Sequence, residues 1–156
     1  MTHDVTRQSP SGKDLMARAS PPSLGTFRIG TPAKPEEGLR IAVTRRPPRG
    51  VSRDRWVSEG WFDIWFPYLA PSEALIRKYR PRLDDEKVQG RFFAAYEKEL
   101  LRSAESRQAV ELLAAISLRT PMRLGCFCED ESRCHRLRLF QVVDREARRQ
   151  LVERGG

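Results

Sequence analysis

The stretch MRLGCFCEDESRCHR, from Met122 to Arg136, decides the fold because it combines a strand, a loop and the start of a helix. Its first part, Met122 to Phe127, is short and apolar, which is typical of a buried strand. The polar loop Cys128 to Arg133 follows, and the apolar spacing then predicts a helix from His135 to about Leu151. A strand, loop and helix in this order is typical of a sheet that is at least partly parallel and packs against helices.

Three more strands are predicted before this stretch. Each is short and apolar or alternating, and each is followed by a glycine or proline turn that interrupts a sheet. We therefore expect an α/β fold, a single three-layer sandwich-type domain with a small, at least partly parallel sheet and flanking helices. The upstream strands are predicted at Thr26 to Ile29, Leu39 to Thr44 and Phe62 to Phe66.

Three helices are predicted between the third and the fourth strand. The first has Ser72 as its N-cap and ends at Pro81, the second runs from about Asp85 to Ser103, and the third from about Glu105 to Leu118. Apolar residues recur every three or four positions, so one face of each long helix should pack against the sheet. The residues expected in the core are Val88, Phe92, Tyr96 and Leu100 in the second helix, and Leu137, Phe140, Ala147 and Leu151 in the last helix of the chain.

The composition indicates one globular domain with a polar lead-in. The chain has 156 residues, enough for one core of ordinary size. Residues 1–22 hold no aromatic side chain, so we expect a disordered tail at 1–22 and a single α/β domain at 23–152. No stretch reaches the roughly 18 apolar residues of a membrane span, and the N-terminus lacks a signal-peptide pattern. We therefore expect a cytoplasmic protein without a membrane partner.

The net charge of +8 favours anionic partners. Nucleic acid, a nucleotide or a phosphorylated metabolite would each fit this charge, and the alternative is that the charge serves solubility alone. The three cysteines all lie between Cys126 and Cys134, unlike the spread framework of a secreted disulfide domain. This distribution indicates a reducing compartment.

The loop with the cysteines also contains His135, and several kinds of chemistry are open to it. A helix that starts at Cys134 would favour a bound anion or a thiolate, so the loop could be an oxyanion cradle or carry a reactive thiol. The spacing from Cys128 to Arg133 also resembles loops that wrap a sulfur or phosphorus oxyanion. However, the three carboxylates at positions 129–131 would repel such an anion.

Zinc is another alternative, because the same loop holds four potential ligands. The spacing argues against zinc: a single residue separates Cys126 from Cys128, and the adjacent Cys134 and His135 would both have to reach one ion from the first turn of a helix. We therefore predict no metal and no other cofactor. Cys126 is expected to be buried as a strand residue, and Cys128 and Cys134 to be more exposed.

A second cluster is rich in arginine and follows the strand at Leu39 to Thr44. Guanidinium groups bind phosphate in a bidentate manner, and the Pro-Pro-Arg-Gly turn at 47–50 would hold them in a stiff frame. If this strand and the Met122 strand are parallel neighbours, the two loops share one edge of the sheet. The alternative is a solvated run of charges. The cluster consists of Arg40, Arg45, Arg46, Arg49, Arg53 and Arg55, with Asp54 as its one acidic residue.

Several pieces of the sequence, taken in order, carry a family resemblance. They are Arg28 to Pro32, Gly38 to Ile41, Arg45 to Gly50, Asp63 to Trp65, Leu69 to Ser72, Phe92 with Tyr96 and Glu99, and Cys126 to Arg136. Together they resemble the domain of unknown function 488 family over about Phe27 to Arg145. The chain is similar to the branch with Arg-Arg-Pro-Pro-Arg-Gly and a Cys-His-Arg triplet. It departs from the commoner YeaO-like pattern at Thr44 and Pro47, where that pattern has aspartate and tryptophan.

The resemblance implies a small cytosolic bacterial or archaeal α/β protein whose biochemical role is unassigned. It also implies that Arg49, Asp63, Trp65 and Ser72 belong to one pocket with the Cys-His-Arg triplet, although a helix N-cap explains Ser72 and a core position explains Trp65. It supplies a fold and a site, and no reaction.

Two classes of function remain open from the sequence. The first is an enzyme or ligand-binding domain for a nucleotide or phosphorylated metabolite, with thiol or acid–base chemistry at the helix start. The second is a nucleic-acid or protein interaction module, although no groove-reading helix or aromatic stacking motif supports it. The predicted catalytic residues are Cys134 and His135, and the predicted ligand-binding residues are Arg45, Arg46, Arg49, Asp63, Cys128, Arg133 and Arg136.

Overall fold

Four parallel strands form the central sheet of the protein. The structure is a computed structural model that describes residues 21–155, so the predicted disordered tail lies outside the described residues apart from Pro21 and Pro22. The strand order is β1-β4-β2-β3, with every neighbouring pair parallel. The predicted α/β fold is therefore confirmed, and β4 lies in the centre of the sheet as its apolar sequence requires. The strands are β1 (Leu24–Arg28), β2 (Leu39–Ala42), β3 (Ile64–Trp65) and β4 (Met122–Cys126).

Most of the chain between β3 and β4 is helical, and so are residues 135–155. Side-chain oxygens cap three of the helices: Ser72 accepts a hydrogen bond from the amide of Leu75, Asp85 caps the next helix, and Ser103 the one after it. These caps stand where the sequence predicts helix starts. The helices are α1 (Arg55–Ser58), α2 (Glu73–Tyr79), α3 (Glu86–Arg102), α4 (Ala104–Ser117) and α5 (His135–Gly155). Within residues 21–155, no helix combines the length and the apolar character that crossing a bilayer demands.

The two faces of the sheet are covered unequally. On one face, Ile41 of β2, Val43 just after β2 and Leu124 of β4 pack with α3, α4 and α5 in the larger core cluster. On the other face, a smaller cluster around Phe27 and Phe62 packs against three tryptophans. The indole of Trp56, on the one-turn helix α1, lies 5.1 Å from the Phe62 ring, so aromatic rings cover this face of the sheet instead of a long helix.

The predicted core positions hold for α3 and need correction for α5. Val88, Phe92, Tyr96 and Leu100 are all buried, as their spacing predicts. In α5 the predicted Ala147 is buried, and Phe140 and Leu151 are partly buried and pack against the core, whereas Leu137 is only partly buried. The observed buried face of α5 is offset by one to two residues from the predicted one. It includes a buried charged side chain, which an apolar pattern does not reveal. Its members are Arg136, Leu139, Val142, Val143 and Ala147.

Candidate functional site

The loops after β2 and β4 meet at the carboxyl edge of the sheet. The two strands are direct neighbours, and the amide of Val43 donates to the carbonyl of Gly125 at 2.9 Å just beyond their pairing. Residues of both loops line one cleft of about 1270 Å³, which α2 closes on a third side. The shared edge expected from the sequence is therefore present, and it lies where ligands bind in parallel sheets.

Arginine dominates the wall of this cleft. Six arginines and one carboxylate, that of Glu73, line it. Arg46 lies 3.6 Å from Glu73, and Arg45 donates to the carbonyl of Pro71 at 3.0 Å. Among the described residues, Arg49, Arg77 and Arg80 form no ion pair. The cleft therefore carries an excess of positive charge. The six arginines are Arg45, Arg46, Arg49, Arg77, Arg80 and Arg133.

The three acidic residues of the cysteine loop do not enter the cleft. Glu129 pairs with Arg28 at 3.2 Å, and Glu131 accepts a hydrogen bond from Thr26, so β1 holds both carboxylates. Asp130 accepts from the amide of Ser132 and lies 3.2 Å from Arg133. The repulsion that the sequence suggests between these carboxylates and a bound anion is thus reduced by their orientation.

The three thiols form a compact cluster at the floor of the cleft. The sulfurs of Cys126 and Cys128 are 3.7 Å apart, and the sulfur of Cys134 lies 3.9 Å from Nδ1 of His135. Cys126 is buried and Cys128 exposed, as predicted. The expected exposure of Cys134 is wrong, because only 1% of this residue is accessible. Its extended backbone immediately before α5 directs the side chain inward toward Cys126.

Negative charge is unevenly distributed over the thiols. Hydrogen bonds from the thiols of Cys126 and Cys134 lower the pKa of Cys128 far below its ordinary value, and the positive charge of Arg136 adds to this effect. The same contacts, together with burial, raise the pKa values of Cys126 and Cys134. Cys128 is therefore the thiol that ionises first, and Cys134, predicted as catalytic, is the less suitable nucleophile.

His135 is held by the backbone of the neighbouring strand. Its Nε2 lies 2.7 Å from the carbonyl oxygen of Val43, which can only accept, so Nε2 carries the proton. Burial lowers the pKa of His135, which leaves the ring neutral near pH 7. In this tautomer Nδ1 has a free lone pair beside the Cys134 sulfur.

Arg136 supports the cysteine loop from below and does not line the cleft. Its side chain is 4% exposed and donates to the carbonyls of Cys126 and Cys128, at 3.3 and 2.7 Å. Within residues 21–155 it has no carboxylate at ion-pair distance, and its Nε has no hydrogen-bond partner. The structure thus places this predicted ligand-binding residue behind the loop, where it fixes the position of the thiols.

Asp63 and three arginines of the predicted cluster lie away from the cleft. Asp63 precedes β3 and accepts a hydrogen bond from the amide of Arg40 at 2.8 Å, beside a separate cavity of about 370 Å³. Arg40 is buried there, with its guanidinium 4.1 Å from the Phe27 ring centroid. Arg53 and Arg55 are exposed outside both cavities.

Two cleft arginines are not among the site residues predicted from the sequence. Arg77 and Arg80 come from the end of α2, which no strand-end argument includes. The basic run Arg77-Lys78-Tyr79-Arg80 is the signal that could have found them. Glu99 positions their helix, because its carboxylate accepts from the amide and the hydroxyl of Ser72 at 2.7 Å each.

We expect a thiol reagent to modify Cys128 much faster than the other two cysteines in reduced, chelator-treated protein. Cys128 is exposed and has the lowest pKa of the three thiols, whereas Cys126 and Cys134 are buried. Mass spectrometry of peptides after brief labelling checks this order. The Cys128→Ser variant should lose the fast phase, and rapid labelling of Cys134 in the native protein would contradict the placement.

Comparison with known proteins gives one match. Residues 24–147 match the family model DUF488-N3a, described as the active DUF488-N3 subclade. No curated protein and no solved structure matches the chain significantly. The matched residues span all four strands, the arginine loop and the cysteine loop. The chain therefore belongs to the DUF488 family.

Proposed function

We propose that the protein binds an anionic small molecule, a nucleotide or a phosphorylated metabolite, in the cleft between the arginine loop, α2 and the cysteine loop. The single observation that carries this proposal is the composition of the cleft wall, in which six arginines stand against one carboxylate. Guanidinium groups gathered around one cavity repel each other, and a bound anion removes that repulsion.

The arrangement of local charges supports a phosphate group in particular. Glu129 and Glu131 of the cysteine loop are engaged with Arg28 and Thr26, and Asp130 offsets only Arg133 among the six cleft arginines. Arg49, Arg77 and Arg80 come from two different segments and have no ion-pair partner among residues 21–155. Such forks can bind several oxygens of one phosphate at the same time.

The remaining lining favours a ligand with an apolar part. Ligand cavities commonly measure about 300–1000 Å³, and this open cleft of about 1270 Å³ has room for a molecule of nucleotide size. Phe92 and Phe127 contribute aromatic surface, and Ile76 and Leu83 contribute aliphatic surface. A nucleotide or another phosphorylated organic molecule therefore fits the cleft better than inorganic phosphate alone.

The floor of the cleft determines which chemical groups the ligand meets. Cys128 is exposed there, and His135 is neutral with Nδ1 beside the thiols. Where both side chains are free, thiol or acid–base chemistry on the bound anion would begin with these two residues, so Cys128 replaces Cys134 as the proposed nucleophile. Unpaired thiols this close together persist in a reducing compartment, which supports the cytoplasm as the location.

An anionic ligand should raise the melting temperature of the wild type and should do so far less in Arg49→Ala. A ligand at about ten times its Kd adds about 1.4 kcal/mol to the free energy of unfolding, or roughly 3–5 °C for a chain of this size. Differential scanning fluorimetry with inorganic phosphate, nucleotides and sugar phosphates at millimolar concentration measures this shift. Arg77→Ala should reduce the shift in the same way, because Arg77 lines the same cleft.

Arg53→Ala is the matched control for this experiment. Arg53 belongs to the same arginine-rich segment and its removal changes the net charge equally, but it is exposed and lies outside the cleft. Equal shifts in Arg49→Ala, Arg53→Ala and wild type would contradict the proposal. If no small anion shifts the melting temperature, and a single-stranded oligonucleotide binds in fluorescence anisotropy with a salt-dependent Kd, the interaction module is the better assignment.

A further inference from the structure

The side chains of Cys126, Cys128, Cys134 and His135 converge at the end of β4. The ligand atoms of Cys126, Cys134 and His135 all lie within 4.8 Å of one another. The sulfur of Cys128 joins this group, 3.7 Å from the sulfur of Cys126. These three residues therefore form a candidate metal site, and the sulfur of Cys128 lies beside it.

The spacing of these atoms suits a tetrahedral zinc ion. A Zn–S distance of about 2.3 Å in a tetrahedron separates two sulfur ligands by about 3.8 Å. The Cys126 and Cys128 sulfurs are 3.7 Å apart, and the Cys134 sulfur is 3.9 Å from Nδ1 of His135. Thiolate and imidazole ligands in a tetrahedral arrangement favour Zn²⁺ over harder cations such as Mg²⁺ or Ca²⁺.

The hydrogen bond of His135 supplies a second, independent observation. Histidine ligands of metals typically donate the proton of the other ring nitrogen to a carbonyl or carboxylate, which fixes the tautomer. The Nε2 of His135 donates to the carbonyl of Val43 at 2.7 Å, so Nδ1, the nitrogen beside the thiols, is the one with a lone pair. The ring is oriented as a metal ligand requires.

The buried charge of Arg136 supplies a third observation. This guanidinium is 4% exposed and, within the described chain, has no carboxylate at ion-pair distance. A buried cation without an anion is costly. One Zn²⁺ with three thiolates carries a single net negative charge, and Arg136 donates to the carbonyls of two of the three cysteines. The metal-bound cluster would therefore balance Arg136.

The backbone explains why the sequence spacing argues against zinc and the structure does not. That argument placed Cys134 and His135 together in the first turn of a helix. In the structure Cys134 is extended, with φ −98° and ψ 138°, and the helix begins only at His135. The change of backbone direction between the two residues allows both side chains to reach the same point.

We propose that Cys126, Cys128, Cys134 and His135 form a tetrahedral Zn²⁺ site at the floor of the arginine cleft. The site goes beyond the proposed function, because zinc binding requires no anionic ligand. Cys126, Cys134 and His135 form the inner part of the site, and the exposed Cys128 is the ligand nearest to the cleft.

Titration of reduced, chelator-treated protein with Zn²⁺ tests the site directly. We expect one ion per chain with nanomolar affinity or tighter, and a release of protons as the thiols bind the metal. Co²⁺ used in place of Zn²⁺ should give a thiolate-to-metal charge-transfer band and the visible bands of a tetrahedral ion. Substoichiometric or only micromolar zinc binding, or an octahedral cobalt spectrum, would overturn the proposal.

Variants identify the ligands. His135→Ala should weaken zinc binding by more than the roughly 10- to 100-fold that loss of an outer partner costs, and Cys128→Ser should weaken the charge-transfer band of Co²⁺. His3→Ala, which changes the chain's other histidine, is the control and should bind zinc as the wild type does. Wild-type affinity in His135→Ala or Cys134→Ser would place the metal elsewhere and refute the site.

A measurement on the wild type covers the case in which a variant does not fold. One equivalent of Zn²⁺ should slow the modification of Cys128 by a thiol reagent by an order of magnitude or more, because a metal-bound thiolate is no longer free to react. Inorganic Mg²⁺ at the same concentration should leave the rate unchanged. An unchanged rate with zinc would exclude Cys128 as a ligand.

Discussion

Gly125→Ala is expected to destabilise the protein by about 3 kcal/mol, the upper part of the range for overpacking in a core. Gly125 lies in the central strand β4 and pairs in register with Phe27 of β1. A Cβ at this position would lie 2.2 Å from the Phe27 ring. The ring cannot easily withdraw, because Phe27 is 7% exposed and the Arg40 guanidinium lies 4.1 Å from the ring centroid.

Gly90→Ala is the matched control for this substitution. Gly90 is exposed within α3, and a Cβ there would meet no atom within 4 Å. Alanine should stabilise the helix by about 0.5–1 kcal/mol, because glycine loses more backbone entropy on folding. Urea unfolding monitored by circular dichroism compares the two variants. Equal stability of Gly125→Ala and Gly90→Ala would show that the Phe27 ring does not pack over β4, and a Phe27→Leu partner substitution should recover part of the loss in Gly125→Ala.

The order of strands and helices could be predicted because local signals agree with the tertiary structure. Ser72, Asp85 and Ser103 cap helices where the sequence places their starts, and glycine or proline residues follow the strands. The one-turn helix α1 was not predicted. Its four residues carry no periodicity, and its role depends on Trp56, which packs against Phe62 and Trp65 from other segments.

The buried face of α5 could not be read from hydropathy, because it includes a charge. Pattern reading assigns arginine to the solvent side, yet Arg136 points inward, where the carbonyls at the end of β4 accept its hydrogen bonds. Those carbonyls belong to residues eight and ten positions earlier in the chain. The contact therefore depends on how the cysteine loop folds, which the apolar period does not encode.

The position of the cleft was predictable, and its full composition was not. Two loops that follow parallel strands meet at one edge, so the arginine loop and the cysteine loop could be placed together from their order alone. Asp63 precedes β3, and its place before a strand puts it at the opposite edge of the sheet. Arg77 and Arg80 reach the cleft through α2, whose orientation depends on the contact between Ser72 and Glu99.

Arg133 of the cysteine loop and Arg136 of α5 should separate ligand binding from stability. Arg136→Met removes two hydrogen bonds from a buried guanidinium to the carbonyls of Cys126 and Cys128. Bonds from a charged donor contribute about 1.5–3 kcal/mol each and are not additive, so we expect a loss of about 2–4 kcal/mol. Arg136 has no carboxylate partner within the described chain, so its burial carries a desolvation cost. The substitution removes this cost, which offsets part of the lost stability.

Arg133→Met is the counterpart, since Arg133 is exposed, lines the cleft and pairs only with the exposed Asp130 among residues 21–155. Its removal should leave urea unfolding unchanged within error, because an exposed ion pair contributes little. It should instead reduce the stabilisation that phosphorylated ligands give to the wild type. Arg136→Met should behave in the opposite way. The unliganded variant should be less stable than the wild type, but its folded form keeps the six cleft arginines and should still be stabilised by the anion. If Arg136→Met and the wild type unfold at the same urea concentration, the buried guanidinium does not contribute to the free energy of unfolding. The cysteine loop then keeps its conformation without it.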